Sequence, residues 1–301
     1  MPKLNLCLFI FLLSLCATVL GQGKKPVTIP FELSAHNNLS VRAILNGRDT
    51  VHLMFHTAAS SVMLTEEATK RIGSLQFDRT DSVSSWGGSG NTSRFSKSNS
   101  LQIGTLTLDS LPIWEDINSG PGTDGKFGPN LFANKVIEID FDKKVIVLSE
   151  KLPAKAKKYD KLPLVFKNDN MFLQAVCAIG TDTFSNKFLL HSGYAGDVLL
   201  DDQLVADHKL NEKLTVVDEK SLKDSYGHVI KTKRAILPSF RIGKQALSNV
   251  PVGFFEGSIG RQKMSIIGGD VLKRFNIIID AQRAFIYLKA NGLNKSGYIN
   301  V

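Results

Sequence analysis

Short runs of aliphatic and β-branched residues, separated by polar turns, dominate the chain beyond its N-terminal segment. Residues 136–141 and 145–148 are two such runs, joined by a polar turn. Residues 276–280 and 284–288 repeat this arrangement near the other end of the chain. Apolar runs of this length, bounded by polar turns, are typical of β-strands. The pattern therefore predicts a mostly β protein.

A few short helices are predicted beside these strands. Asn130 and Asp270 can each cap the N-terminus of a helix that begins at the next residue. Two further helices are expected, one after each histidine that follows the apolar runs 51–55 and 187–190. The four predicted helices span residues 131–135, 271–275, 65–71 and 201–208.

The strand pattern belongs to a longer internal repeat. Most of its matched landmarks lie about 140 residues apart, which random similarity does not produce. The landmarks are Phe55-His56-Thr57-Ala58 with Leu190-His191-Ser192-Gly193, Ser85-Trp86-Gly87 with Ser225-Tyr226-Gly227, Leu101-Gln102-Ile103-Gly104 with Phe240-Arg241-Ile242-Gly243, Leu111-Pro112-Ile113 with Val250-Pro251-Val252, Phe127-Gly128 with Ile267-Gly268, and Asp140 with Asp280. The chain is therefore interpreted as a duplication.

Residues 1–21 have the pattern of a secretory signal peptide. Lys3 provides a positive start, residues 4–20 form an apolar core, and a cut before Gln22 follows small residues. An apolar run of about 17 residues is at the short limit for a membrane span, and Leu15 before Cys16 argues against lipoprotein processing. The sequence thus predicts a secreted or periplasmic protein without a membrane span after cleavage.

Two lobes are predicted, residues 22–149 and 164–301, with a linker over residues 150–163 that is rich in lysine and proline. Loss of Lys3 with the signal lowers the formal net charge from +9 to +8. The remaining cations are spread along the chain, so no nucleic-acid partner is expected. Cys177 becomes the only cysteine and is expected in a buried strand, without a disulfide. We expect a monomer.

The landmarks around the second histidine resemble a known family. An apolar strand leads into His191-Ser192-Gly193, and residues 266–280 join Ile-Ile-Gly-Gly-Asp to a closing apolar strand. These motifs are similar to those of the retropepsin-like and pepsin-like aspartic proteases. The copy at Phe127-Gly128 is weaker because Lys126 interrupts its apolar pair. The resemblance covers nearly the whole mature chain and implies an all-β fold with a few short helices, built as two β-barrel lobes around a cleft.

The chain departs from that family at both catalytic positions. His56 and His191 stand where each lobe of the family carries an aspartate, and Ala58 replaces a glycine. In the family, two adjacent carboxyl groups share one proton, so that one acts as a base and the other as an acid. A half-protonated imidazole pair carries +1 where the carboxyl pair carries −1. The resemblance therefore implies that the usual peptide cleavage is lost.

Five further residues complete the candidate site by resemblance. Thr57 and Ser192 match the hydroxyl residues that hold the two active-site loops together in the family, and Gly193 follows in the same motif. Trp86 and Tyr226 fall at hairpin tips that hang over the cleft. Together with the histidines they are predicted to bind a peptide or another extended polymer.

Three functions remain open from the sequence. The leading hypothesis is an inactive protease homologue that binds an extended ligand. The second is a hydrolase in which one of the pair His56/His191 is neutral and the other protonated near pH 6–7. The third is a structural or assembly protein with an empty cleft.

Two other chemistries are judged less favourable. A zinc site takes three or four protein ligands, and His228 is the only candidate to join the histidine pair, so neither a metal nor another cofactor is predicted. Asp140 and Asp280 each precede a polar turn and are interpreted as turn-stabilising acids rather than as replacement catalytic groups.

Overall fold

The same order of strands occurs twice along the chain. The computed structural model describes residues 25–85, 88–225, 227, 229–255 and 262–298. The strands of lobe one are β1 (Val27–Pro30), β2 (Glu32–Leu33), β3 (Leu39–Leu45), β4 (Asp49–Phe55), β5 (Val62–Thr65), β6 (Arg79–Ser85), β7 (Gly88–Ile103), β8 (Leu106–Asp116), β9 (Gly125–Phe127), β10 (Val136–Asp140) and β11 (Val145–Ser149). Those of lobe two are β12 (Asp160–Lys167), β13 (Asn170–Ile179), β14 (Asp182–His191), β15 (Val198–Leu199), β16 (Val216–Lys223), β17 (Val229–Ile242), β18 (Gln245–Phe254), β19 (Ser265–Gly268), β20 (Phe275–Ile279) and β21 (Phe285–Ala290).

The pairing of the strands shows the duplication directly. In lobe one β4 runs parallel to β9, and β5 lies parallel to β8 and antiparallel to β9. In lobe two β14 runs parallel to β19, and β15 lies parallel to β18 and antiparallel to β19. The predicted all-β, two-lobed duplicated fold is therefore confirmed.

Each lobe buries one face of its strands. In β3, buried positions alternate with more exposed ones, as expected for a strand with one face on a core. The last residues of β4 and β14, which lead to the histidines, are buried as continuous apolar runs. Such runs need apolar partners on both faces, so the two strands pass through the middle of their lobes and deliver the following residues to the lobe interface.

The lobes are joined by a sheet that crosses between them. Strand β10 of lobe one pairs with β20 of lobe two, with Ile137 opposite Ile279 and Ile139 opposite Ile277. At the edge of this junction, Asn276 accepts a hydrogen bond at Oδ1 from the Phe141 N–H over 2.8 Å and donates from Nδ2 to Asp142 over 2.7 Å. The junction fixes the orientation of the two lobes through backbone pairing and through side chains that include this amide.

The helices lie close to their predicted positions. They are α1 (Glu66–Arg71), α2 (Asp202–Asp207), α3 (Leu210–Lys213) and α4 (Gly269–Leu272), with single 3₁₀ turns at Pro129–Phe132 and Ala154–Lys158. Thr65 and Asp201 cap α1 and α2 through their side-chain oxygens, as capping preferences favour.

Two predicted helix starts are each wrong by two residues. The turn predicted at 131–135 begins at Pro129, because proline already has the backbone φ of a first helical position. Helix α4 begins at Gly269 instead of after Asp270. The Asp270 side chain is fully buried and pairs with Lys273 over 2.7 Å, so it does not cap the helix.

The structure also places two predicted turn residues, the predicted buried cysteine and the predicted linker. Asp140 accepts a hydrogen bond from the Lys143 N–H in the turn that follows it, and Asp280 accepts one from the Phe285 N–H on the far side of its turn, which confirms their role in stabilising turns. Cys177 lies fully buried in β13, where burial raises the pKa of its thiol to about 12. Within the predicted linker, residues 154–158 form a 3₁₀ turn and β12 already begins at Asp160.

None of the described helices has the length and the apolar character needed to cross a membrane.

The lobe junction predicts a specific loss of stability. Replacing Asn276 with Ala leaves the buried Phe141 N–H without its acceptor, so we expect the free energy of unfolding to fall by about 1–3 kcal/mol. Urea denaturation followed by circular dichroism measures this. Gln174→Ala, at an exposed position of β13, is the matched control and should change stability by less than about 0.5 kcal/mol. Equal stability of the two variants would show that the amide does not support the junction.

Candidate functional site

The two histidines meet at the interface between the lobes. His56 follows the last residue of β4, and His191 is the last residue of β14. Their ring centroids lie 4.5 Å apart, with the ring planes tilted by 56°. Each backbone is fixed by the loop that follows, since His56 O accepts from the Ala59 N–H and His191 O from the Tyr194 N–H, both over 3.0 Å. The duplication thus places equivalent residues face to face.

Thr57 and Ser192 bind the two loops to each other. The Thr57 N–H donates to Ser192 Oγ over 3.0 Å, and the Ser192 N–H donates to Thr57 Oγ1 over 2.9 Å. Each hydroxyl then donates to a carbonyl of the opposite strand: Thr57 to Leu190 O over 2.6 Å, and Ser192 to Phe55 O over 2.7 Å. All four bonds are buried and related by the twofold symmetry of the repeat. They hold the histidines in register.

Gly193 is required by the packing of the pair. Its Cα faces the His56 imidazole so closely that an added Cβ would overlap the ring at Cδ2 and Nε2. The equivalent residue of lobe one, Ala58, has a methyl group instead. That residue packs against an apolar cluster of lobe two, made of Leu189, Leu199, Phe255 and Ile266. The two loops are therefore not interchangeable.

Burial keeps both imidazoles uncharged at neutral pH. Burial, together with the positive charge of Lys126, lowers the pKa of His191 to about 4. Burial, His191 and Lys126 lower the pKa of His56 well below the usual 6.5. The Ala58 N–H donates to His56 Nδ1 over 3.1 Å, so the proton of the neutral ring is on Nε2. Nδ1 of His191 is buried, and no described residue forms a hydrogen bond with it.

Lys126 is the site residue that sequence reasoning missed. It lies in β9, which runs parallel to β4, and its side chain is only 7% exposed. Its ammonium group is 2.7 Å from Asp116 Oδ2, and the Asp116 carboxylate also accepts from the Ser119 hydroxyl. The interrupted apolar motif was the available signal, because a lysine inside a buried strand requires an anionic partner. The partner lies on another strand and could not be identified from the local pattern.

The hairpin of lobe two contacts this ion pair. The ammonium of Lys126 donates to Ser225 Oγ over 2.7 Å. The Ser225 carbonyl accepts from the N–H groups of Ile117 and Asn118, over 2.8 and 2.9 Å. Ser225 follows β16, so the tip of a lobe-two hairpin is bound to the end of β8 and to β9 of lobe one.

Not all of the candidate residues are among those that the structure describes. Trp86, Tyr226 and His228 lie outside the described residues. The structure brings His56, His191, Thr57, Ser192 and Gly193 into one site. In the described ranges, no group of three or more histidine, cysteine, aspartate or glutamate side chains is arranged to hold a metal ion.

Comparisons with known proteins identify the same fold. Residues 41–128 match the family model described as aspartyl protease. Among solved structures, the aspartic proteinase from Irpex lacteus is similar, with a TM-score of 0.59 and 14% sequence identity over 90% of this chain and 99% of that one. No curated protein matches the chain in sequence. The family resemblance that the motifs indicated is confirmed at the level of fold.

The buried imidazoles predict a loss of stability in acid. Their folded-state pKa values lie below the unfolded value near 6.5, so as the pH falls the unfolded chain takes up protons first. For His191 the contribution is present above about pH 6.5 and is lost as the pH falls through about 4. We expect the stability of the wild type relative to His191→Gln to fall by roughly 2–3 kcal/mol between pH 7 and pH 4. Urea denaturation across this range measures it, and a constant difference would contradict the prediction.

The crossed hydrogen bonds predict a large effect of a small change. Ser192→Ala removes one acceptor and one donor and leaves the Thr57 N–H and the Phe55 carbonyl buried without their partners. We expect a loss of about 2–4 kcal/mol in the free energy of unfolding. Ser60→Ala, at an exposed position four residues after His56, is the control and should be nearly neutral. Similar melting curves for the two variants would show that the loops are held by other contacts.

Proposed function

We propose that this aspartic-protease-like chain binds an extended peptide, or a similar polymer, between its lobes without cleaving it. The observation that carries the proposal is the neutral pair of His56, which is buried, and His191, which is partly buried, on a scaffold whose loop bonds are complete. The site keeps the architecture of a protease and has a different charge.

The charge of the pair argues against peptide cleavage. Activation of water by a carboxyl pair depends on one negative charge and one shared proton. Two neutral imidazoles carry no charge. Protonation of one of them needs a pH near the His191 pKa of about 4, and the pair then carries +1. A dyad with one imidazolium at pH 6–7 is therefore disfavoured, because at that pH neither ring is appreciably protonated.

The surroundings of the pair support binding. The apolar cluster of Leu189, Leu199, Phe255 and Ile266 lies beside the site, and the partly buried Phe172, Tyr194 and Leu222 pack against it. Ala58 of lobe one packs against the same cluster, so the cluster extends to the lobe interface, and an apolar lining is typical of ligand sites. A protein with only a structural role has no need for this surface next to the histidines. This observation favours the binding function over the structural one.

We also propose that the protein is exported and monomeric. The signal-peptide pattern of residues 1–21 supports export, to the outside of the cell or to a periplasm. There the protein acts as a monomer on peptides or extended polymers, without a cofactor. These statements rest on the sequence.

The proposal predicts binding without hydrolysis. We expect a protein-derived peptide mixture, incubated with the purified chain from pH 3 to 8, to show no new termini by mass spectrometry. We expect immobilised protein to retain a subset of these peptides. Leu222→Ala removes part of the apolar surface and should weaken their binding about 10-fold. Val217→Ala is the control in the same strand, at a position 57% exposed, and should not weaken binding.

Each outcome decides between the candidate functions. Cleavage that disappears both in His56→Ala and in His191→Ala would overturn the proposal in favour of the histidine dyad. Absence of both cleavage and retention would favour the structural role. Equal weakening by Leu222→Ala and Val217→Ala would show that the peptides bind elsewhere.

A further inference from the structure

The hairpin tip of lobe two occupies hydrogen-bond donors that belong to lobe one. Ser225 accepts at its hydroxyl from Lys126 and at its carbonyl from two consecutive backbone N–H groups, those of Ile117 and Asn118. A residue of a bound peptide offers the same two acceptors, a backbone carbonyl and an oxygen on its side chain. Ser225 is therefore bound to lobe one in the way that a residue of an extended ligand is bound to a groove.

These donors lie beside the histidines. Lys126 is one residue before Phe127, whose carbonyl accepts from the His56 N–H over 2.9 Å. The lysine charge acts on both imidazoles. The end of β8 carries Asp116, which fixes the ammonium group. The donors that hold Ser225 thus form one wall of the same site.

The twofold repeat shows that this polar wall is specific to lobe one. Met63 of β5 pairs with Lys126, and the equivalent Leu199 of β15 pairs with Ile266. The landmark spacing likewise makes Phe255 the counterpart of Asp116. Phe255 and Ile266 are buried together in the apolar cluster of lobe two. One wall of the site therefore has a buried ion pair where the other has two apolar side chains.

We infer that Ser225 is a built-in surrogate ligand, and that an extended chain enters the site by displacing it from Lys126, Ile117 and Asn118. This inference rests on the proposed binding function. The ligand residue at this position presents its backbone carbonyl and a neutral side-chain oxygen, as serine, threonine, asparagine or glutamine does. A carboxylate at this position is disfavoured. Asp116 lies within hydrogen-bond distance of Lys126 and already neutralises it, so a second carboxylate would be repelled by Asp116.

The tip of the hairpin can move without breaking the strand pairing inside its sheet. Strand β16 is at the edge of its sheet and pairs only with β17. Its first four residues are exposed. In the described part of the tip, Ser225 forms three hydrogen bonds with lobe one, and each contributes little net stability because water replaces it when it opens.

The first test needs no ligand. Diethyl pyrocarbonate labels neutral imidazoles, and peptide mapping by mass spectrometry reports the rate at His56 and His191. We expect Ser225→Ala to label both histidines about five-fold faster than the wild type, the effect of one lost hydrogen bond. Hydrogen exchange at the Ile117 and Asn118 amides should accelerate in parallel. Ser221→Ala, at an exposed position of β16, and Ser225→Thr, which keeps the hydroxyl, should both behave like the wild type.

Unchanged labelling and exchange in Ser225→Ala would overturn the surrogate role, whether or not any peptide binds. Faster labelling in Ser221→Ala as well would also overturn it, because the effect would then not depend on the Ser225 contacts.

The second test concerns the class of ligand. A synthetic peptide that is retained by the protein is made with serine, asparagine, aspartate or alanine at each position in turn. We expect one position at which serine and asparagine bind several-fold tighter than aspartate and alanine, and Ser225→Ala should strengthen binding of all four. Preference for aspartate at that position, or no preference at any position, contradicts the inference. A Ser225→Ala protein that opens but retains no peptide contradicts the proposed binding function and leaves the hairpin contact as an intramolecular closure.

Discussion

The crossed hydrogen bonds of Thr57 and Ser192 are the constraint on which the site depends. Each hydroxyl accepts from the partner loop and donates to a carbonyl of the partner strand. Because all four bonds are buried, neither loop can shift without leaving polar groups unpaired, which is unfavourable by more than the bonds themselves contribute. The two lobes therefore meet in one register. The positions of the histidines, of Gly193 and of the strands that lead to them follow from that register.

Within this fixed frame, the charge of the site is set by burial and by one ion pair. Buried imidazoles are stable when neutral, and their neutrality is compatible with a neighbouring ammonium group. The ammonium of Lys126 is balanced by Asp116 and not by the pair. The site as a whole is thus close to neutral, although it contains two histidines, a lysine and an aspartate. The lysine charge favours neutral imidazoles, whereas it would favour the ionised form of a carboxyl pair in the same place.

The sequence predicted those parts of the molecule that repeat or that depend on neighbours along the chain. The duplicated landmarks were sufficient for the two-lobed fold. The helices expected from residues 65 and 201 begin one residue later, because Thr65 and Asp201 cap them from the position before the first helical residue. The start of α4 was wrong because Asp270 pairs with Lys273 inside the core. The role of Lys126 was missed for a similar reason, since its partners Asp116 and Ser225 come from another strand and from the other lobe. Contacts of that kind depend on the assembled lobes, and no local pattern specifies them.

If the site binds an extended chain as proposed, the departures from twofold symmetry orient that chain. A symmetric cleft binds a chain equally well in both directions, whereas this site opposes a polar wall, Lys126 with Asp116, to an apolar wall, Phe255 with Ile266. A ligand that satisfies both walls must place an oxygen-bearing residue toward lobe one and an apolar residue toward lobe two. Reversal would bury the apolar residue against the ion pair and leave the ammonium without the acceptor that Ser225 provides in the closed form. Specificity of this kind requires no catalytic group. Under the proposed function, it follows from two neutral histidines between walls that differ in polarity, and these walls select both the sequence and the direction of the bound chain.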